Sequence, residues 1–143
     1  MASRKKGENA AESRVGTRLR AAGLRPTRQR MALAGLIFRS GDRHVSAEAL
    51  HDEAVKAGIA VSLATVYNTL HQFTEAGLLQ QVVVDAARSY FDTNLGDHQH
   101  FYRPDEETLI DIPNGAIAVS GLPAAPRGTV VERVDVIVRL KRG

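Results

Sequence analysis

Apolar residues recur along this chain at helical spacing in its first half and at alternating spacing in its second. The most regular stretch places Leu63, Val66, Leu70 and Phe73 at i, i+3, i+7 and i+10, one face of a helix. Ser62 suits the cap ahead of it and Gly77 the left-handed turn behind it, which predicts a helix over 62–77. Earlier, Ser46 caps a predicted helix over 47–57 with Ala47, Leu50, Ala54 and Ala57 inward, closed by Gly58. Pro26 and Thr27 open another over 28–39, which buries Met31, Leu33, Leu36 and Ile37. A shorter helix fits 11–22, with Val15 and Leu19 inward, and Gly23 ends it. Ser40 to Val45 reads as a turn. Past Gly77 the period becomes two: Leu79–Val84 and Ser89–Thr93, separated by Asp85–Arg88, read as a hairpin. A helix-turn-helix followed by a hairpin is a winged helix.

The remainder has a different texture. Residues 94–97 are turn-rich and suit a hinge. Short strands are predicted at 98–102 and 108–112, joined by the acidic turn Pro104–Glu107, with a short helix over 113–122. A last strand over 130–140 alternates Val134, Val136, Val138 and Leu140 with Arg133, Asp135 and Arg139. This tail of roughly 50 residues is small for an independent core, so pairing with a second copy is its simplest source of burial. The predicted class is α+β: a disordered arm (1–10), a winged helix-turn-helix domain (11–93), a hinge (94–97) and a small α/β dimerisation domain (98–143).

The face of the 62–77 helix opposite its apolar stripe carries Thr65, Tyr67, Asn68, Thr69 and Gln72, without the Lys/Glu pairs usual on a solvated helix. Amides, hydroxyls and an aromatic ring suit base edges in a DNA major groove; an ordinary polar outer face is the other reading of this helix taken alone. Charge adds to the picture. Up to Gln80 there are twelve Lys and Arg against seven Asp and Glu, a balance of +5; beyond it seven against nine leave −2. Arg28 and Arg30 fall in a first helical turn, where cations oppose the helix dipole unless a phosphate lies nearby. Together these predict double-stranded DNA as the partner of the first half.

The 143 residues include no cysteine. This excludes a disulfide framework, thiolate catalysis and Cys-ligated zinc. No apolar run is long enough for a membrane span and the basic start lacks an apolar signal core, so the expected location is the cytoplasm. His98 and His100 form an H-x-H pair, whose imidazoles share one side of a strand. Asp92 precedes them, Asp111 follows, and His44 stands before the 47–57 helix. Three imidazoles and two carboxylates suit a divalent transition ion such as Fe2+, Mn2+ or Zn2+; two exposed histidines would explain the pair on its own. A metal-dependent hydrolase would need the same cluster plus a general base and a substrate pocket, and nothing after Asp111 supplies a base motif. The expectation is no enzyme.

The runs Ala22–Arg30, His44–Glu48, Leu63–Leu70, Ala76–Leu78, Phe91–Asp92 and His98–His100, in that order and spacing, resemble the ferric uptake regulator (Fur) family from about residue 14 onward. Through Leu24–Met31, Ser62–Leu70 and Tyr90–Asn94 the chain is most similar to the iron response regulator (Irr) branch of alphaproteobacteria. The resemblance implies a cytoplasmic, homodimeric transcription regulator, a repressor type, acting on iron and haem metabolism. Its target would be an A/T-rich pseudo-palindromic operator. It places His44, Asp92, His98, His100 and Asp111 on the family's regulatory metal site, with the spacing of its peroxide-sensing members, so a peroxide or other metal sensor is the alternative. Tyr67 matches the aromatic that contacts bases and Arg25 a basic residue that approaches the minor groove. Arg28, Arg30, Ser62, Thr65, Asn68 and Thr69 complete the expected DNA surface. Many relatives hold a structural zinc through Cys-x-x-Cys pairs. Here Arg103 and Glu106 stand at those positions, so no structural zinc is expected. The Cys-Pro haem motif of some Irr proteins is also missing; the resemblance to members that lack it too implies His98 or His100 as an alternative haem ligand.

Overall fold

The computed structural model describes residues 14–39, 41–96 and 98–143. The arm expected over 1–10, the first residues of the 11–22 helix, Ser40 and Asp97 lie outside the described residues. The chain divides into two compact units at Leu95 and Gly96.

The first unit opens with helix α1 (14–21), then α2 (Arg28–Phe38), strand β1 (His44–Val45), α3 (Ala47–Lys56), α4 (Leu63–Glu75), β2 (Gln80–Asp85) and β3 (Arg88–Asp92). Each helix from α2 to α4 begins on a hydroxyl that accepts a backbone N–H: Thr27 from Arg30, Ser46 from Ala49, Ser62 from Thr65. These caps satisfy donors that would otherwise have no partner and fix where each helix starts. Gly77, at φ +81°, turns the chain out of α4, and the Leu78 N–H bonds back to the Phe73 carbonyl. A side chain at Gly77 would meet nothing within 4 Å, so backbone conformation alone makes glycine suitable there.

The helices pack through Leu19, Leu33, Ile37, Leu50, Val66, Leu70 and Phe73, each at most 1% exposed. Phe91 of the sheet joins the same cluster. The sheet runs β1-β3-β2, all antiparallel, with a bulge between Val83 and Asp85. This is a winged helix whose wing is the β2–β3 hairpin.

In the second unit β4 (Gln99–Arg103) lies between β5 (Thr108–Ile112), antiparallel to it, and β6 (Ile137–Arg139), parallel to it. Tyr102, Leu109 and Ile112 are its buried apolar side chains. Arg103 and Glu106 pair at 3.1 Å across the β4–β5 turn.

Several expectations are corrected. Residues 113–122 form turns and irregular chain instead of a helix. Pro113 opens the segment, and Gly115 and Gly121 sit at φ +84° and +75°, outside helical backbone. The strand expected over 130–140 contracts to Ile137–Arg139 because β4 offers only His100 to Tyr102 as partners. The Val136 carbonyl and the Leu140 N–H close the two ends of that ladder. His44 and Val45, read as turn, form β1 against β3; two residues are too few for any periodicity to show. Leu63 and Ala57, expected inward, are exposed at helix ends.

Candidate functional site

The second unit gathers three donor side chains. The β4–β5 register sets His100 directly opposite Asp111, and strand alternation turns His98 to the same side. The Nε2 atoms of His98 and His100 each lie 3.3 Å from Oδ1 of Asp111. The two rings meet edge-on with centroids 4.6 Å apart. His98 Nδ1 lies 2.7 Å from the Gly96 carbonyl. A carbonyl only accepts, so Nδ1 is the protonated nitrogen and Nε2 of the neutral ring carries the lone pair. That lone pair faces a carboxylate oxygen, an arrangement satisfied by a second proton or by a cation. Ligand atoms at right angles around an ion with bonds of ~2.1 Å stand about 3 Å apart, close to the observed separations. The donor set therefore fits a divalent transition ion, and the Gly96 carbonyl supplies the outer hydrogen bond that typically orients a metal-bound imidazole.

The first unit carries a smaller pair. β1 is in register with the end of β3, so His44 opposes Asp92, with Nε2 3.2 Å from Oδ2. Asp92 is buried and its Oδ1 accepts the Asn94 N–H at 2.9 Å. The neighbouring residues brace this pair. The Arg43 N–H donates to Thr93 Oγ1 at 2.8 Å and the Thr93 N–H to the Arg43 carbonyl at 3.1 Å. The Arg43 guanidinium reaches Glu53 of α3 with two bonds of 3.0 and 2.7 Å, and the Leu36 carbonyl of α2 at 3.3 Å. The hydrogen bond from Arg43 holds the Glu53 carboxyl below its ordinary value, against the opposing effect of partial burial. All five ligands expected from the sequence thus stand in His–Asp pairings, two in the first unit and three in the second. His/Asp groups of this kind could hold a metal ion.

The expected DNA surface is built less uniformly. Arg25, Arg28 and Asn68 are exposed. Ser62 and Thr65 are occupied with each other: the Ser62 hydroxyl caps the Thr65 N–H and donates to Thr65 Oγ1 at 2.9 Å. Thr69 is corrected from the outer face to the inner one. It is 5% exposed and its hydroxyl donates to the Thr65 carbonyl one turn back, at 2.8 Å. Its hydroxyl is satisfied within its own helix, so its polarity misleads a reading of the sequence. Arg30 turns onto α4: its Nε and Nη2 donate to Gln72 Oε1 at 3.2 and 3.1 Å, and its Nη1 to the Arg25 carbonyl at 2.9 Å. This side chain fastens α2 to α4 as well as carrying charge.

One residue was quoted in the sequence reading without any role. Glu48, in the first turn of α3, accepts the Tyr67 hydroxyl at 2.6 Å. That bond, with partial burial behind it, raises the phenol above its ordinary pKa. The other side of Tyr67 stacks on His71, with centroids 6.5 Å apart and planes 19° from parallel, and His71 meets Phe91 edge-on at 5.6 Å. Glu48 and Tyr67 stand nineteen positions apart on two different helices, and no local pattern reveals that they meet.

Comparison with known proteins places this geometry among relatives. The model of the Ferric uptake regulator family matches residues 21–129. The chain is similar to the ferric uptake regulation protein of Shigella flexneri, at 33% identity over 78% of this chain and 77% of that one. It is also similar to the protein of the same name from Bordetella parapertussis, at 36% identity over 53% of this chain and 55% of that one; the match thus spans about half of the latter's length. Among solved structures it resembles a ferric uptake regulator of Pseudomonas aeruginosa determined with manganese. The TM-score is 0.65 at 25% identity, over 90% of this chain and 97% of that one.

Proposed function

This chain belongs to the ferric uptake regulator family, and from that premise we propose that it is a homodimeric, sequence-specific DNA-binding regulator whose affinity for an operator is set by a divalent metal ion. Members of the family are transcription regulators and not enzymes. The observation that carries the metal half of the reading is the approach of two imidazole nitrogens to a single oxygen of Asp111, each at 3.3 Å. Manganese in the similar Pseudomonas structure agrees with that donor set.

In this proposal one ion takes ligands from both units: His44 and Asp92 from the first, His98, His100 and Asp111 from the second. Such an ion supplies positive charge to converging lone pairs and ties the winged helix to the rest of the subunit. DNA affinity and metal affinity are then linked through one conformational equilibrium. Two α4 helices related by a two-fold axis would enter successive major grooves of an A/T-rich pseudo-palindrome. Tyr67 and Asn68 would read bases, and Arg25 and Arg28 would approach the backbone or minor groove.

The finer assignment, to the iron response regulator branch and to iron and haem metabolism, is supported by the sequence alone. Its supports are the runs Leu24–Met31, Ser62–Leu70 and Tyr90–Asn94. Haem at His98 or His100 would compete with the ion for the same nitrogens.

Selection of bound sequences from random DNA, run with and without manganese, iron and haem, tests the whole reading. A two-fold A/T-rich consensus whose affinity shifts on metal addition is the expected result. An absence of any enriched sequence rejects the DNA-binding assignment. A consensus bound equally in all conditions, unchanged by His98→Ala plus His100→Ala, rejects the sensing role.

A further inference from the structure

The base-reading surface proposed above depends on a tyrosine whose hydroxyl is already committed. Tyr67 Oη lies 2.6 Å from Glu48 Oε1, and a carboxylate can only accept, so the phenol proton points at α3 and not outward. The ring is half-buried, with His71 stacked beside it in the next helical turn. Phe91 in turn holds His71. The phenol pKa is raised by Glu48, so the hydroxyl keeps its proton and the bond keeps its direction. Both ends of this ring are therefore fixed before any ligand arrives.

A carboxylate on the surface offered to a polyanion is otherwise a liability. It repels phosphates and works against the counterion release that drives binding. Its presence is explained if its oxygen holds something that a side chain without an acceptor would leave loose. We infer that Glu48 is a positioning residue for sequence discrimination: by holding the Tyr67 hydroxyl it fixes the ring's orientation on α4. This rests on the assignment of Tyr67 as a base reader. The fixed ring offers an apolar face and an acceptor oxygen to the groove and no free O–H donor. It favours a thymine methyl or a base amino group over bases presenting only acceptors. Pre-orientation also removes the ordering cost that a mobile aromatic would incur on binding.

The test measures affinity for the selected operator and for random-sequence DNA of equal length, at fixed salt, in the metal-loaded full chain. Specificity is the ratio of the two. Tyr67→Ala checks the underlying assignment and should lower the ratio. Glu48→Ala should lower it by roughly fivefold, the usual effect of one hydrogen bond, while affinity for random DNA stays level or rises through the lost negative charge. Glu48→Gln removes the same charge but keeps an acceptor at the same reach, and should restore the ratio. In a Tyr67→Phe background, Glu48→Ala should have no further effect on the ratio.

If Glu48→Gln lowers the ratio as much as Glu48→Ala, the residue acts by charge and the inference is overturned. Equal losses from Glu48→Ala with tyrosine or phenylalanine at position 67 overturn it as well. If Tyr67→Ala leaves the ratio unchanged, the base-reading assignment fails and takes this inference with it. A lowered ratio for Tyr67→Ala with none for Glu48→Ala sinks the inference alone.

Discussion

Individual side chains decide what an ion would find here. Asp111 is the hinge of the three-donor set because both imidazoles approach the same oxygen. Asp111→Asn keeps the shape and removes the charge. Manganese affinity, read by competition with a chelating dye, should fall by more than the ~10–100-fold that loss of an outer hydrogen-bonding partner costs. An unchanged affinity would place the ion elsewhere. The H-x-H pair was visible in the sequence, and so was Asp111 as a candidate. What was not visible was the register that puts Asp111 opposite His100, since Leu109 shares its side of β5 and is buried while Asp111 is 41% exposed. Thr69 fails in the opposite direction: its residue type suggests an outward donor, and an i−4 hydrogen bond hides it.

At the scale of elements, capped helices were the legible part. Thr27, Ser46 and Ser62 each announce a helix and each accepts the bond expected of it. Leu70, fully buried among the helices, should cost about 3 kcal/mol when cut to alanine, measured as a shift in the urea midpoint. Less legible was the way α3 supports β1. Arg43, one residue before His44, grips Glu53 with two short bonds. Because the folded Glu53 value lies below its ordinary 4.5, the pair's contribution is complete above the unfolded value and is lost as pH falls through the folded one. Both side chains are about a quarter exposed, so the contribution is on the order of 1 kcal/mol. Glu53→Gln should therefore be less stable than the parent at pH 7 and indistinguishable from it near pH 2. A gap that persists in acid would mean the loss is one of packing. β1 itself, two residues long, and the glycine-interrupted stretch 113–122 show where pattern reading stops: the first is too short for a period, the second has apolar residues but backbone angles no helix allows.

Across the whole molecule, charge and topology divide the work. The basic half holds the helices of the winged helix, the acidic half its wing and the three-donor set. In the proposed mechanism the ion's affinity for the second unit governs how firmly the first is oriented. The second unit's sheet has one consequence of its own. Its third strand comes from the far end of the sequence and runs parallel to β4, with Ile137 beside His100 and the His100 N–H donating to the Val136 carbonyl. Cutting the chain after residue 135 would remove no imidazole and no carboxylate of the cluster. It would leave β4 bare along one edge and His100 without its main-chain anchor. Such a shortened protein should still retard operator DNA on a gel, yet respond to manganese far less steeply than the full chain. If the proposed coupling holds, proteolysis at that single stretch would uncouple the response to the ion while leaving every proposed ion ligand and every proposed base reader in place.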